Sequence, residues 1–457
     1  MTHRPSLTTL DSTTSSSTWS STSSSSPSSS KPSSPTFFRA VATGASALLI
    51  GLLLAACTSC GGGSSSSETA TPNAPPPVTT PPVTRTGTLL NGDAPAFYPR
   101  LIRLQHQTDV SLNGALLAST ITFEGDRGQG KLFLSKDDGA SFQAQGAVTD
   151  AAWPKGLCCG SVYELPTAVG ALPAGTLLWS ASVGQDTPGQ PMTHPIHRSN
   201  DGGKTWRFLA NCGVGNKPRA GEGTGIWEPE FLVTRDGALA CLYSDETDGT
   251  AAGVSQTLKL MSTTDGATWT SPRVIAAALK PTDRPGMAVT SRLGDGSFLL
   301  SYEHCSTAGL DCRVALKRSA DGLDWGDPAV RGPEPKTADG RFFRHAPTHV
   351  WLPGRQRIAL VGQILVNAAG QVDTAGNGAT IFLSSTADGS GTWTTMEAPV
   401  KPLSPPGQTN WCQNYSSPLL SSADGSRLIM LASDFETAAN GQQVCRTRFG
   451  SAALPTP

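Results

Sequence analysis

The chain has no long block of Lys or Arg, and its 34 basic and 35 acidic residues leave a formal net charge of −1. Binding a phosphate backbone calls for a basic stripe, so the composition speaks against a nucleic-acid partner. Charged residues make up only 15% of the chain, and no stretch holds an apolar 3.6-residue period over three or four turns, which excludes a helical bundle. What the chain has instead is 49 Gly and 35 Pro, the composition of a turn-rich β protein. Its 457 residues suffice for two or three ordinary domains or for one large all-β domain.

The N-terminal region lacks apolar surface. Residues 11–36 are Ser, Thr and Pro, broken only by Asp11, Trp19 and Lys31, so nothing offsets the entropy of ordering them and residues 1–39 are expected to be disordered. After Arg39 an apolar run, AVATGASALLIGLLLAAC, ends at Cys57. It is short for a membrane span, and the small residues at its end suit a processing site. Leu54-Ala55-Ala56-Cys57 resembles the lipobox of bacterial lipoproteins, which implies an exported protein lipidated on Cys57; the alternative is an uncleaved anchor. Residues 40–57 are thus read as a signal or anchor segment. Residues 58–90, rich in Gly and Ser and then in Pro and Thr, form a flexible tether that stiffens toward the domain.

Beyond Cys60 there are eight cysteines: Cys158, Cys159, Cys212, Cys241, Cys305, Cys312, Cys412 and Cys445. None shows the short repeated Cys/His spacing of a zinc site, so no metal is expected. An exported location permits disulfides and the number is even. Cys305 and Cys312, which flank a short loop, are the expected pair; the adjacent Cys158 and Cys159 are not expected to bond to each other.

A repeat organises the remainder. SKDDGASF (135–142), SNDGGKTW (199–206), STTDGATW (262–269), SADGLDW (319–325) and STADGSGTW (385–393) place Asp137, Asp201, Asp265, Asp321 and Asp388 at spacings of 64, 64, 56 and 67 residues. In each copy the Asp accepts from backbone N–H groups, Gly supplies the turn and the ring packs beneath it. Short β-like segments such as GKLFLS, HPIHRS and TIFLS lead into the boxes. One supersecondary unit therefore recurs about every sixty residues. These turns resemble the Asp-box, or BNR, repeats of the sialidase superfamily. The resemblance implies an all-β, six-bladed β-propeller over residues 91–457, with roughly sixty residues per blade, the sixth blade closed by both chain ends, and the five aspartates structural.

Chemistry then has to come from the non-repeated stretches YPRLIRL (98–104), GIWEPEF (225–231), TDRPGM (282–287), SYEHC (301–305) and NWCQNYSSPLL (410–420). Their order and wording resemble the exo-α-L-arabinanase family of glycoside hydrolases, most clearly between Trp227 and Glu303. Glu228 and Glu303 stand at strand edges, where two carboxylates could flank a glycosidic bond. The resemblance implies Glu228 as nucleophile and Glu303 as acid/base, with an exchange of the roles left open, and it implies no cofactor. Tyr415 matches the superfamily's late tyrosine and joins them as a catalytic candidate. Arg100, Trp227, Asp245, Arg284, His304, Arg344 and Trp411 are the expected substrate-binding residues. His345 is a weaker candidate, and Glu230 is the competitor of Glu228.

The reading is an exo-acting, retaining glycosidase, monomeric, with an oligo- or polysaccharide substrate and a membrane anchor. The alternatives are an exo-α-sialidase and a non-catalytic glycan-binding propeller. Substituting Cys57 is expected to move the protein from the membrane to the soluble fraction with its activity intact. Membrane retention of the Cys57 variant would refute the anchor.

Overall fold

The computed structural model describes residues 85–456 apart from 222, 249–254, 307–310 and 405–410. The expected disordered segment, Cys57 and most of the tether lie outside the described residues.

Six β-sheets account for the fold. Blade I is β2 (Phe97–Arg103), β3 (Leu116–Glu124), β4 (Arg127–Ser135) and β5 (Gln143–Val148); blade II is β6 (Leu157–Glu164), β7 (Leu177–Val183), β8 (Thr193–Ser199) and β9 (Arg207–Val214). Blade III is β10 (Ile226–Val233), β11 (Leu239–Asp245), β12 (Thr257–Thr263) and β13 (Arg273–Ala276). Blade IV has five strands, β14 (Arg284–Arg292), β15 (Phe298–Cys305), β16 (Arg313–Ser319), β17 (Phe342–Arg344) and β20 (Ile364–Val366). Blade V is β18 (Thr348–Leu352), β19 (Arg357–Val361), β21 (Thr380–Ser384) and β22 (Trp393–Glu397); its β19 to β21 connection leaves the blade to supply the outer edge of blade IV. Blade VI joins β23 (Leu419–Ser421), β24 (Arg427–Thr437) and β25 (Gln443–Ala453) to β1 (Thr88–Leu89) from the other end of the chain.

Thr88 and Leu89 pair with Phe449 and Arg448, and Arg85 is bonded to Asp434 at 2.8 Å. The domain thus takes in residues 85–90, which the sequence reading had left in the tether. Closing the ring needs an edge strand from the N-terminal side, and no apolar pattern announces a two-residue strand.

Each box follows the third strand of its blade, and its Asp gathers the turn. Asp201 accepts from Ser199 Oγ at 2.7 Å, Thr205 N at 3.0 Å and Thr205 Oγ1 at 2.6 Å. Asp265 accepts from Ala267 N and Thr268 N at 2.8 and 2.7 Å, and these backbone donors hold its pKa well below the usual carboxylate range. Asp137, Asp321 and Asp388 are also held low, Asp137 and Asp388 chiefly by the hydroxyls of Ser141 and Ser390 and Asp321 by the Asp324 N–H.

The ring and the glycine of each box face inward. Phe142, Trp206, Trp269, Trp325 and Trp393 enter five separate apolar clusters. The glycines lie against the preceding blade: Gly139 on Ile429, Gly203 on Leu117, Gly266 on Leu172, Gly322 on Leu232 and Gly389 on Leu316. At Gly266 the φ is +78° and a Cβ would stand 2.7 Å from Leu172 Cδ1, so any other residue would take a strained backbone and push the Leu172 side chain aside. Each box is therefore a clasp between successive blades. Blade VI has no box because the junction of its third and fourth strands is where the two chain ends meet.

Asp201→Ala is expected to lower stability by about 1 kcal/mol, the cost of stranding partly exposed turn donors. Turnover per folded molecule should match wild type, and a selective loss of turnover would contradict the structural role.

Candidate active site at the propeller axis

In an antiparallel meander the start of the first strand and the end of the second share one face. The first turn and the third-strand box share the other. All the expected site residues fall on the face opposite the boxes, where six first strands converge.

Those strands are kinked. β2, β6, β10 and β14 break register between Phe97 and Arg100, Cys158 and Ser161, Trp227 and Glu230, and Gly286 and Val289. At each break a residue other than Gly takes a left-handed φ: 51° at Tyr98, 64° at Cys159, 53° at Glu228 and 56° at Met287. Ala346 and Ser416, just ahead of β18 and β23, do likewise at 45° and 57°. A bulge re-aims its side chain, and non-glycine residues in this region are strained. The strain recurs on every blade around the axis, doubled by His345 ahead of β18 and by Asn414 ahead of β23, and Glu228 occupies one of its places.

Glu228 is part-buried. Its Oε2 accepts from Ser244 Oγ at 2.6 Å, Met287 N donates to the same hydroxyl at 3.3 Å, and the Glu228 N–H donates to Ser182 Oγ at 3.2 Å. Burial, abetted by the nearby carboxylates of Glu303 and Glu246 and opposed by Ser244, pushes its pKa up to about 7. Glu303 is buried at the end of β15; its Oε2 accepts from Ala346 N at 2.7 Å and lies 3.4 Å from His345 Nδ1. Tyr415 lies near both acids: burial, Glu228 and Glu303 in turn raise its pKa well above the phenol value. Its ring packs against His345 and Tyr98, with centroids 5.7 and 6.0 Å apart. Arg284 is ion-paired with Glu246 and donates to Gln256 Oε1 at 2.8 Å. The structure therefore brings Glu228, Glu303, Tyr415, Arg284 and His345 together.

The other candidates divide. Arg100, 9% exposed, lies 4.4 Å over the Tyr98 ring and donates to Ser416 Oγ at 2.8 Å, which ties two of the axial residues together. Trp227 carries Arg219 at 5.4 Å over its ring. Trp411 is exposed and packs edge-on against Phe97 and Phe435. Asp245 is buried and consumed by Lys259, at 2.9 Å, and by Thr247, so it braces the wall of blade III instead of facing a substrate. His304 points to the face of β15 opposite Glu303 and lies 3.6 Å from Asp283, the consequence of strand alternation. Arg344 is paired with Asp311 at 3.2 Å. Glu230 accepts from Ser161 Oγ and Thr290 N, both at 3.1 Å, and sits in the wall between blades. Sequence reasoning passed over Tyr98, Ser182, Ser244 and Glu246, although Tyr98 opens one quoted stretch and the run YSDE holds two others.

All eight cysteines among the described residues are paired, as Cys158–Cys159, Cys212–Cys241, Cys305–Cys312 and Cys412–Cys445. Cys305–Cys312 is as expected, and Cys158–Cys159 is a correction: the left-handed φ of Cys159 removes the strand alternation that would hold the two side chains apart. Glu303, Cys305, Cys312 and His345 place four donor atoms within 4.8 Å of one another, but the disulfide consumes the two thiolates a metal would need. A cavity of about 360 Å³ lined by Lys317, Trp325 and Asp388 is on the box side and shares no residue with this site.

A carboxyl whose pKa rises on folding binds its proton more tightly in the native state, so it lowers stability as pH climbs from the unfolded value through about 7. Glu228→Gln is expected to raise unfolding stability at pH 8 by roughly 1–3 kcal/mol and to leave it unchanged near pH 4. Urea unfolding at the two pH values checks this, and equal effects at both would contradict it.

No protein-family description matches the chain, and no curated protein does. Solved structures do. An α-L-arabinanase from Penicillium chrysogenum, complexed with arabinobiose, superposes with a TM-score of 0.63 at 24% identity, over 81% of this chain and 99% of that one. An α-L-arabinofuranosidase of family GH93 from Fusarium graminearum, also with arabinobiose, gives 0.63 at 22% identity over 80% and 97%. The NanB sialidase of Streptococcus pneumoniae gives 0.51 at 11% identity over 82% and 71%. The fold of this chain is thus the sialidase-like six-bladed propeller, close in shape to the arabinanases.

Proposed function

We propose that the protein is an exo-acting, retaining glycoside hydrolase that removes α-L-arabinofuranosyl units from oligosaccharide chains. The observation that carries this is the pair of carboxylates, Glu228 and Glu303, on neighbouring blades at the propeller axis, with Tyr415 near both. Two acids so placed perform a double displacement if one attacks the anomeric carbon while the other protonates the leaving oxygen and later activates water. Two of the structures with this fold hold arabinobiose, which supports an arabinose chain as the substrate class.

In this reading Glu228 is the nucleophile. Its bulge aims it along the axis, and the Ser244 hydroxyl holds one carboxylate oxygen so that the other is free to attack. Glu303, oriented by the Ala346 N–H, protonates the leaving group. The raised pKa of Glu228 directly favours the exchanged assignment, with Glu228 as the acid, and this second reading is separable by experiment.

A sialidase needs three guanidinia facing a substrate carboxylate. Here Arg284 is neutralised by Glu246, Arg344 by Asp311, and Arg100 is laid over the Tyr98 ring. The four disulfides suit an oxidising compartment, in accord with export and the proposed anchor at Cys57.

Glu228→Gln and Glu303→Gln are each expected to abolish hydrolysis of arabinan oligosaccharides with folding retained. On an aryl arabinofuranoside whose leaving group needs no protonation, the acid/base variant alone should keep a measurable burst of phenol release. That variant is Glu303→Gln in the favoured reading and Glu228→Gln in the exchanged one. Oligosaccharide turnover near wild type by either variant would remove its residue from the mechanism.

A further inference from the structure

Each blade offers the axis one such place, a strand bulge on blades I to IV and a left-handed residue ahead of the strand on blades V and VI, and the site described so far uses five of the six. Glu228 supplies a carboxylate, Tyr98 a ring beneath Arg100, Met287 an N–H to Ser244, Ala346 an N–H to Glu303, and Ser416 an acceptor for Arg100. The sixth, on blade II, is Cys159. It is bonded to Cys158, so the residue that should point at the axis and its neighbour form one covalent ring.

The position of this ring is set by the strands. Cys159 is 3% exposed and belongs to the apolar cluster that holds Tyr98, Met287 and Ala346, with Tyr415 packed against it. Cys158 keeps partial exposure. In the register of blade II, Cys158 faces Ser182, and Ser182 Oγ accepts the Glu228 N–H. The disulfide is therefore one cross-strand pair away from the backbone of Glu228, on the axial face.

Two bonded sulfurs are polarisable and apolar. They neither donate a hydrogen bond nor carry charge, and with both residues tied together the surface has little freedom to rearrange. We infer that the Cys158–Cys159 disulfide forms the apolar wall of the sugar subsite beside Glu228, packing on the C–H face of the ring and determining specificity for a compact, uncharged sugar. A sugar bearing a carboxylate on that side would have to strip water from the charge against a surface that returns no hydrogen bond, a cost that excludes it. This inference rests on the proposed glycosidase reading and names the element that selects the sugar.

Reduction by an excess dithiol converts the disulfide to two thiols and oxidises the reagent to its own disulfide. The rate can be followed on the intact wild-type chain by alkylation and peptide mass spectrometry, with the Cys412–Cys445 bridge as internal reference. Arabinobiose at saturation is expected to slow reduction of Cys158–Cys159 several-fold and to leave the reference bridge unaffected. The double variant Cys158→Ser/Cys159→Ser should raise KM for an aryl arabinofuranoside by about tenfold, the scale of losing one apolar pocket contact, while kcat holds within about threefold. Hydrolysis of the arabinofuranoside with no protection of the disulfide would overturn the wall and leave the glycosidase reading intact. Neither hydrolysis nor protection would overturn both. If the double variant fails to fold, the protection measurement on wild type still decides.

Discussion

Bringing six sheets around one axis forces their first strands together where side chains from both faces of a pleat cannot all fit. The chain resolves this crowding with a bulge or an equivalent left-handed residue on every blade, at Tyr98, Cys159, Glu228, Met287, Ala346 and Ser416. Each turns one side chain, or one backbone N–H, toward a common centre. The site follows from that constraint. Glu228 is aimed by its own bulge, Glu303 is oriented by the N–H that the bend at Ala346 exposes, and Ser244 is held by the N–H that the bend at Met287 exposes. Non-glycine residues at positive φ cost of order 1–3 kcal/mol each, and burial of the Glu228 carboxylate adds to that cost.

The opposite face offsets it. Five boxes, each docked on the blade before it, convert sequence neighbours into a closed ring, and the two-residue β1 completes it from the other chain end. Disulfides reinforce the same closure in two places: Cys212–Cys241 joins β9 of blade II to β11 of blade III, and Cys412–Cys445 ties the approach to β23 to the strand that pairs with β1. Rigidity sits on the box face and strain on the axial face. A catalytic pair needs that separation, since carboxylates must be held in place against mutual repulsion.

Much of this was legible in the sequence because the boxes combine a turn chemistry with an aromatic at a near-constant period. The second and third strands were legible too, since segments such as GKLFLS and ALACLYSD sit among packed sheets. First strands were harder. A bulge breaks the alternation that marks a strand, so YPRLIRL stands out as dense in functional groups and GIWEPEF reads as the edge of a strand, with no sign of a bulge in either. The same effect hid LCCGSVYE, whose adjacent cysteines are not expected to bond and meet at the bulge. Asp245 is expected as a partner of the acids and His304 as a substrate-binding residue. Their fate was decided by pleat direction and by Lys259 and Asp283, partners that no local pattern reveals.

The central claim is that Glu228 and Glu303 act as one catalytic pair, with Glu228 forming the covalent bond to the sugar. The most direct test is to treat the protein with an arabinofuranose-configured epoxide or aziridine that alkylates a retaining nucleophile, and to map the adduct by peptide mass spectrometry. The account predicts a single adduct on Glu228, absent from Glu228→Gln. An adduct outside the pair, or sugar release with inversion and no adduct at all, would contradict it.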